Sequence, residues 1–446
     1  MVYVYANLLG NEAGRAIYDG DTLIASCGEL IASGRRFGFG AYELTCAVVD
    51  LDQARTRGSW TASTSSPLLE SPNARVAVPF QFPTVKPVRS EPPPAIISTN
   101  TKEEEFSRAV ALGLFDYMRK SRSSGFVVSL SGGADSAAVA CLVGMMARWA
   151  LRELGSAVLC EKLPGLRERG SGIRDERALT AALLTTVYQS TRNSSAATRR
   201  ASREVAESLG AAHFEMDVDS LVEQYTHLAE VAVGRKLTWE EDDLALQNIQ
   251  ARVRAPSVWM LANIRGALLL STSNRSEAAV GYATMDGDTA GGLSPIAGID
   301  KAFLLSWLSW LEREGPSDLG PMPALSVVTQ QSPTAELRPP GASQTDEKDL
   351  MPYVVLDRIE RAAIRDKRSP AEVLSLLRAE CPEHSLESLR TWVTRFFRLW
   401  SRNQWKRERY APSFHVDDAN LDPKTWCRFP ILSGGFEREL RELETR

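Results

Sequence analysis

A doubly wound α/β fold with a parallel sheet, preceded by a smaller strand-rich region, is the class that three features of this sequence predict. Short apolar runs alternate with helical periodicities from Thr101 onward, and polar or glycine-rich stretches fall where those runs end. The first sixty or so residues instead alternate at period two, with no long helix to cover an apolar face. Repeating strand–helix units place a ligand crevice at the carboxyl ends of the strands.

The elements follow in order. Val2–Tyr5, Asp21–Ala25, Glu29–Ala32 and Tyr42–Asp50 read as strands, with Gly10, Gly20, Gly28 and Gly34 in the turns between them. Four such strands look like part of a sheet and not a whole domain, so residues 1–60 are expected to be the end of a longer protein's domain. Residues 61–100 turn to Ser and Pro, including Glu91-Pro92-Pro93-Pro94, and read as a linker because proline lacks an N–H and fixes φ. Residues 101–446 form the second domain: a helix around Glu103 to Lys120, a strand over 126–130, a helix over 135–152 and a strand over Leu183–Tyr188. A helix over 195–209, a strand over 211–217, helices over 219–232 and 242–266 and a strand over Ala267–Ser271 complete the pattern.

Bulk properties narrow the function. The 446 residues are 43% apolar and 24% charged, an ordinary globular composition, and the formal charge of -4 supplies no basic field for nucleic acid. Arg395 to Arg409 remains a local anion site or a solvated helix face. The six cysteines are scattered without metal-ligand spacing and read as reduced, mostly core residues. Met1-Val2-Tyr3-Val4-Tyr5-Ala6 lacks the basic and apolar regions of a signal peptide, and Val258 to Thr272 is short and interrupted by Arg265. A cytoplasmic protein with no membrane anchor is expected.

Three strand ends carry chemistry. Phe126-Val127-Val128-Ser129-Leu130 runs into Ser131-Gly132-Gly133-Ala134-Asp135-Ser136 and then a helix, which reads as a phosphate-cradling turn: glycines let backbone N–H groups approach an anion and serines add donors. A Walker lysine is missing and a carboxylate, Asp135, stands in the loop, which suits a metal-bridged pyrophosphate leaving group. The bland reading is a plain strand-to-helix turn. Tyr188 to Ser195 is the second end, readable also as a simple helix cap. Ser271 to Lys301 is the third, too polar and glycine-rich for packing alone.

The hexapeptide resembles the PP-loop of the ATP pyrophosphatase superfamily, whose members adenylate a substrate and let a nucleophile displace AMP. The third stretch, with Ser273-Asn274-Arg275-Ser276-Glu277, Gly281-Tyr282-Ala283-Thr284, Gly287-Asp288, Pro295 and Lys301, resembles the NAD synthetase signature. Asn248-Ile249-Gln250-Ala251-Arg252-Val253-Arg254, the Pro333 to Pro339 stretch with Gln344 to Glu347, and Asn403 to Arg407 are similar to that family's helix motif, mobile loop and basic clamp.

The resemblance implies a PP-loop, Rossmann-like domain that amidates deamido-NAD at the expense of ATP, with Mg²⁺. Residue by residue, it implies ATP contacts from Ser129, Ser131, Gly132, Gly133, Asp135, Ser136, Arg252, Thr272 and Lys301, with Asp135 and Glu277 sharing the metal. Asp135, Glu277 and Lys301 are the catalytic candidates. Deamido-NAD contacts are implied for Asn248, Arg254, Glu277, Tyr282, Thr284, Asp288 and Lys406, although surface salt bridging remains an alternative for Arg252 and Arg254. Met285 and Gly292 depart from the lysine and aspartate of ammonia-dependent bacterial members.

Residues 1–60 resemble the last strands of the nitrilase-like glutaminase domain of glutamine-dependent members. That domain's Glu-Lys-Cys triad precedes the Tyr-Ala-Asn strand in the family, and Cys27 and Cys46 read as half-buried strand residues and not substitutes for it. The chain is therefore expected to use ammonia and not glutamine. A homo-oligomer is implied, and no nucleic-acid or membrane partner. Another PP-loop amidotransferase, such as a GMP synthetase-like enzyme, and a nucleotide-binding subunit without turnover are the rival readings.

Overall fold

Helical and strand periods separate the chain as the pattern demands, and the computed structural model divides it into two compact units. One comprises Met1–Gly10 and Tyr18–Thr99, the other Asn11–Ile17 and Asn100–Arg446. The structure describes all residues except 13, 55, 57–78, 80–99, 168–172, 174, 332–336, 339–345, 426 and 445–446. The expected linker at 61–100 lies outside the described residues except Pro79 and Asn100, as does most of the expected loop around 333–345.

In the first unit β1 (Val2–Ala6), β4 (Thr22–Ser26) and β5 (Glu29–Ser33) form an antiparallel sheet in the order β1-β4-β5. Cys27 and Gly28 join β4 to β5 with φ of 56° and 88°, the paired positive angles a tight hairpin requires. Two short strands absent from the sequence reading, β2 (Leu9–Glu12) and β3 (Ala16–Asp19), make a separate ribbon. Tyr42–Asp50, expected as a strand, is not one. Its side chains alternate, with Tyr42, Leu44 and Val48 outermost at 80%, 78% and 75% exposure, so it has the period of a strand without a pairing partner among the described residues. Cys27 therefore sits in a turn and Cys46 on an exposed segment, a correction to the strand placement of both.

The second unit is built on β6 (Phe126–Ser129), β7 (Leu184–Ser190), β8 (Ala212–Asp217) and β9 (Leu268–Leu270), ordered β8-β7-β6-β9 and parallel throughout. Phe126 pairs with both Leu184 and Leu268. The order runs outward from β6 in one direction and then reverses to β9, so a topological switch point lies between β6 and β9. Phe126, Val127 and Val128 are fully covered, as a central parallel strand must be.

Around the sheet lie α1 (Lys102–Ser121), α2 (Ala134–Lys162), α3 (Glu176–Leu183), α4 (Ala196–Leu209), α5 (Asp219–Val233), α6 (Trp239–Arg252) and α7 (Ala255–Arg265). Thr101 caps α1, and three glutamates fill its first turn, where the helix dipole favours them. α2 is long and apolar, and it is the core helix: Ala137 to Val143 are wholly buried. The single helix expected over 242–266 is broken, because Pro256 has no N–H to continue α6 and starts α7 at its second position.

A further layer was not read from the sequence. It includes α8 (Arg275–Val280), α9 (Lys301–Arg313), α10 (Tyr353–Glu360), α11 (Pro370–Glu380), α12 (Leu386–Arg402), α13 (Gln404–Arg407) and α14 (Glu437–Glu444), with shorter helical turns between them. Most of them pack a second core around Leu356, Ile359, Val373, Leu377, Val393 and Phe396.

Candidate active site

The loop after β6 is shaped by two glycines. Gly132 has φ +85°, and a Cβ there would lie 2.2 Å from the Thr198 carbonyl oxygen, so no other residue fits without moving α4. Gly133 caps α2 in an extended conformation with no side-chain acceptor, which leaves the first-turn N–H groups available to an anion. The Ser136 hydroxyl accepts from the Ser131 N–H at 3.2 Å and donates to the Gly133 carbonyl at 3.1 Å, closing the loop on itself. Ser129 donates to Gln189, whose amide in turn donates to the Arg254 carbonyl at 2.6 Å.

Across the switch point stands α8. Asn274 caps it through the Glu277 N–H and donates to Asp135 Oδ1 at 2.9 Å, joining the third motif to the first. The Lys301 ammonium contacts the other Asp135 oxygen and lies 3.7 Å from Glu277. Asp300 caps α9 by accepting from the Phe303 N–H, and the Lys301 N–H donates to Ser276, so the lysine is fixed by its own helix start. Its side chain is 3% exposed, against 19% for Asp135 and 16% for Glu277. Two carboxylates thus share one cation.

The far wall holds the remaining candidates. Thr284 donates its hydroxyl to Asn248 at 3.0 Å and its N–H to Asp288 at 2.9 Å. Asp288 opens onto the cavity but is enclosed by its walls, which pushes its carboxyl up while Arg254 and Lys406 pull it down. Lys406 donates to the carbonyls of Gly281 and Ala283, and burial lowers its ammonium from the usual lysine range. Tyr282 donates to Asp349 at 2.8 Å, and Arg338 forms a two-pronged pair with Asp243.

These groups line one cavity of about 990 Å³. It takes in Ser129, Ser131, Gly132, Gly133, Asp135, Ser136, Asn248, Arg254, Thr272, Glu277, Tyr282, Thr284, Asp288, Lys301 and Lys406. Arg252 is the exception. It is exposed outside the lining, as the last residue of α6, and donates to the Met285 carbonyl at 2.9 Å, whereas Arg254, the cap of α7, turns into the cavity. Met285 is buried and Gly292 packs near Leu269, both off the lining, so the departures at these positions do not alter the cavity wall.

The basic stretch at Asn403 to Arg407 divides in two. Lys406 reaches the cavity, while Arg407 is 2% exposed and donates to the carbonyls of Ala278, Ala279 and Trp400, with burial lowering its guanidinium to about 10. Ser195 caps α4 at Thr198, so the second motif is a helix cap whose neighbours Tyr188, Gln189 and Ser194 also line the cavity. Sequence reasoning assigned no role to Gln189, Asn274 or Asp349. The first two were visible as amides at strand ends, whereas Asp349 carried no signal of its own.

A family model described as NAD synthase matches residues 106–409, which include every one of these lining residues. The chain belongs to the NAD synthase family. Among relatives, it is 32% identical over 444 residues to a protein named glutamine-dependent NAD(+) synthetase from Oryza sativa subsp. indica, covering 93% of this chain and 59% of that one. A Homo sapiens protein of the same name is 30% identical, covering 97% of this chain and 64% of its own length. The crystal structure of a glutamine-dependent NAD(+) synthetase from Cytophaga hutchinsonii is 44% identical with a TM-score of 0.78, covering 99% of this chain and 65% of that one. The chain thus spans about three fifths of the length of these NAD synthetases. Its doubly wound sheet with the glycine loop after β6 is the PP-loop fold of that family.

Proposed function

We propose that this chain amidates deamido-NAD to NAD with ATP and ammonia, releasing AMP and pyrophosphate. The observation that carries the reading is the meeting of Asp135, Glu277 and Lys301 beside the glycine loop at the switch point. The substrate carboxylate attacks the α-phosphorus, the bond to the β-phosphate oxygen breaks, and pyrophosphate leaves. Ammonia then attacks the acyl carbon, and AMP departs with one former carboxylate oxygen.

In this reading the α2 N-terminus and Ser129, Ser131 and Ser136 hold phosphate oxygens, with Thr272 beside them. Lys301 offers a fixed point charge to the departing pyrophosphate. Asn248, Arg254, Tyr282, Thr284, Asp288 and Lys406 form the wall for deamido-NAD. Asp135 and Glu277 fit a magnesium ion, since they already share one cation, and such an ion would neutralise phosphate charge. The names of the relatives support NAD synthesis. A homo-oligomer is supported by Leu228, Val231, Met260 and Ile264, which α5 and α7 leave exposed, and sedimentation equilibrium tests it.

Pyrophosphate release measured with each substrate omitted in turn tests the function. Release is expected only with ATP, deamido-NAD and ammonium together. Release without deamido-NAD, or ATP binding with no release, would overturn the reading.

A further inference from the structure

Adjoining Glu277 and Lys301 at the starts of α8 and α9 lies a buried charge cluster that the chemistry above leaves unused. Arg275, the second residue of Asn274-Arg275-Ser276-Glu277, is 2% exposed yet fully engaged. Its guanidinium donates to Glu360, to Asp417 at 2.6 Å, to Asp300 at 3.3 Å, and to the carbonyls of Gly298 and Ala419 at 2.9 and 3.0 Å. Its N–H donates to the Ile299 carbonyl at 2.8 Å. The starts of α8 and α9, which carry Glu277 and Lys301, are therefore fastened to each other and to α10 through this one side chain.

The cluster holds more acid than base. Asp300, Asp357, Glu360 and Asp417 surround the Arg275 guanidinium, with Asp357 at 3.9 Å from it and also paired at 3.5 Å with the half-exposed Arg361. Two of their buried oxygens, Asp357 Oδ1 and Glu360 Oε2, have no hydrogen-bond partner among the described residues. They belong to side chains three apart on α10, which neighbour each other on a helix surface. Two buried carboxylates left charged without partners for these oxygens are strongly unfavourable, whereas protonating one of them removes a charge and supplies a donor.

We propose that Arg275 is the positioning residue for the Asp135–Glu277–Lys301 group, and that Asp357 and Glu360 hold one proton between them to balance its cage. Burial raises the Glu360 carboxyl to about 7, helped by Asp300 and Asp357 and opposed by Arg275. Burial also raises Asp357, helped by Asp300 and opposed by Arg361, Arg275 and Lys102. The kinetic part of the proposal rests on the function proposed above, and the proton does not.

The folded protein binds this proton more tightly than the unfolded chain, so the stabilisation is full below the ordinary glutamate range and is lost as pH rises through about 7. Glu360→Gln keeps an acceptor for Arg275 and gives Asp357 a permanent donor. The wild-type melting temperature is expected to fall relative to Glu360→Gln as pH rises from about 5 to 8, and a flat difference would overturn the shared proton. Should Glu360→Gln fail to fold, an infrared pH-difference spectrum of the unaltered protein decides: a protonated-carboxyl band is lost across neutrality, and a band absent throughout contradicts it.

For positioning, Arg275→Lys keeps the charge without the fork. Pyrophosphate release is expected to lose about tenfold or more in kcat with KM for ATP little changed. A crystal structure of the variant is expected to show the Asp135–Lys301–Glu277 contacts displaced. Wild-type kcat with those contacts intact would overturn the role. If the unaltered protein releases no pyrophosphate, the functional reading fails while the crystal structure and the proton measurements still decide this one.

Discussion

The two sides of the cavity are made of different material. On the β6 side the wall is a backbone loop, shaped by Gly132 and closed by serine hydrogen bonds within six residues of sequence. On the α8 side the wall is charge, and Asp135, Glu277 and Lys301 are brought together from positions up to 166 residues apart. A backbone wall depends on shape and little on pH. A charged one depends on whatever fixes its side chains, here Asn274, Asp300 and Arg275.

The contrast can be broken most sharply on the charged side. Glu277→Ala and Asp135→Ala are each expected to cost about a hundredfold to a thousandfold or more in pyrophosphate release, since each removes a carboxylate proposed to hold the magnesium ion that neutralises the leaving group. Chelating divalent metal should have a comparable effect, reversed by added magnesium. A Glu277→Ala enzyme of normal rate would remove the carboxylate from the account.

On the shape side, Gly132→Ala should cost about a hundredfold in turnover. It should also cost about 1–3 kcal/mol of stability, because the new Cβ meets backbone and φ is positive, and chemical denaturation measures that part. An alanine enzyme with normal turnover would mean that the loop does not cradle phosphate.

Smaller effects sharpen the map of the far wall. Lys406→Ala removes a charge facing Asp288 and two bonds to carbonyls, and should raise KM for deamido-NAD about tenfold with kcat little changed. Arg252→Ala should change KM for ATP by less than about twofold, since its side chain lies outside the cavity. A large effect of Arg252→Ala would show that the helix moves on binding.

The same contrast explains what the sequence could reveal. The β6 loop was legible because its physics is local: a strand period, two glycines and a helix start follow one another. β7, β8 and β9 were legible for the same reason, within a residue or two at most ends. The break at Pro256 was passed over because the apolar period continues across it, although the missing N–H was there to be read. Tyr42–Asp50 was misread because alternation predicts extension and not a partner. The Arg275 cage was invisible, since its acids at 300, 357, 360 and 417 share no spacing and meet only through the tertiary fold.

In the proposed reaction the deamido-NAD carboxylate attacks the α-phosphorus of ATP in this cavity. Deamido-NAD labelled with ¹⁸O in that carboxylate tests it directly, by mass spectrometry of the products after turnover with ammonium. One labelled oxygen is expected in the phosphate of AMP and none in pyrophosphate. Label in pyrophosphate or inorganic phosphate, or unlabelled AMP alongside newly formed NAD, would contradict it.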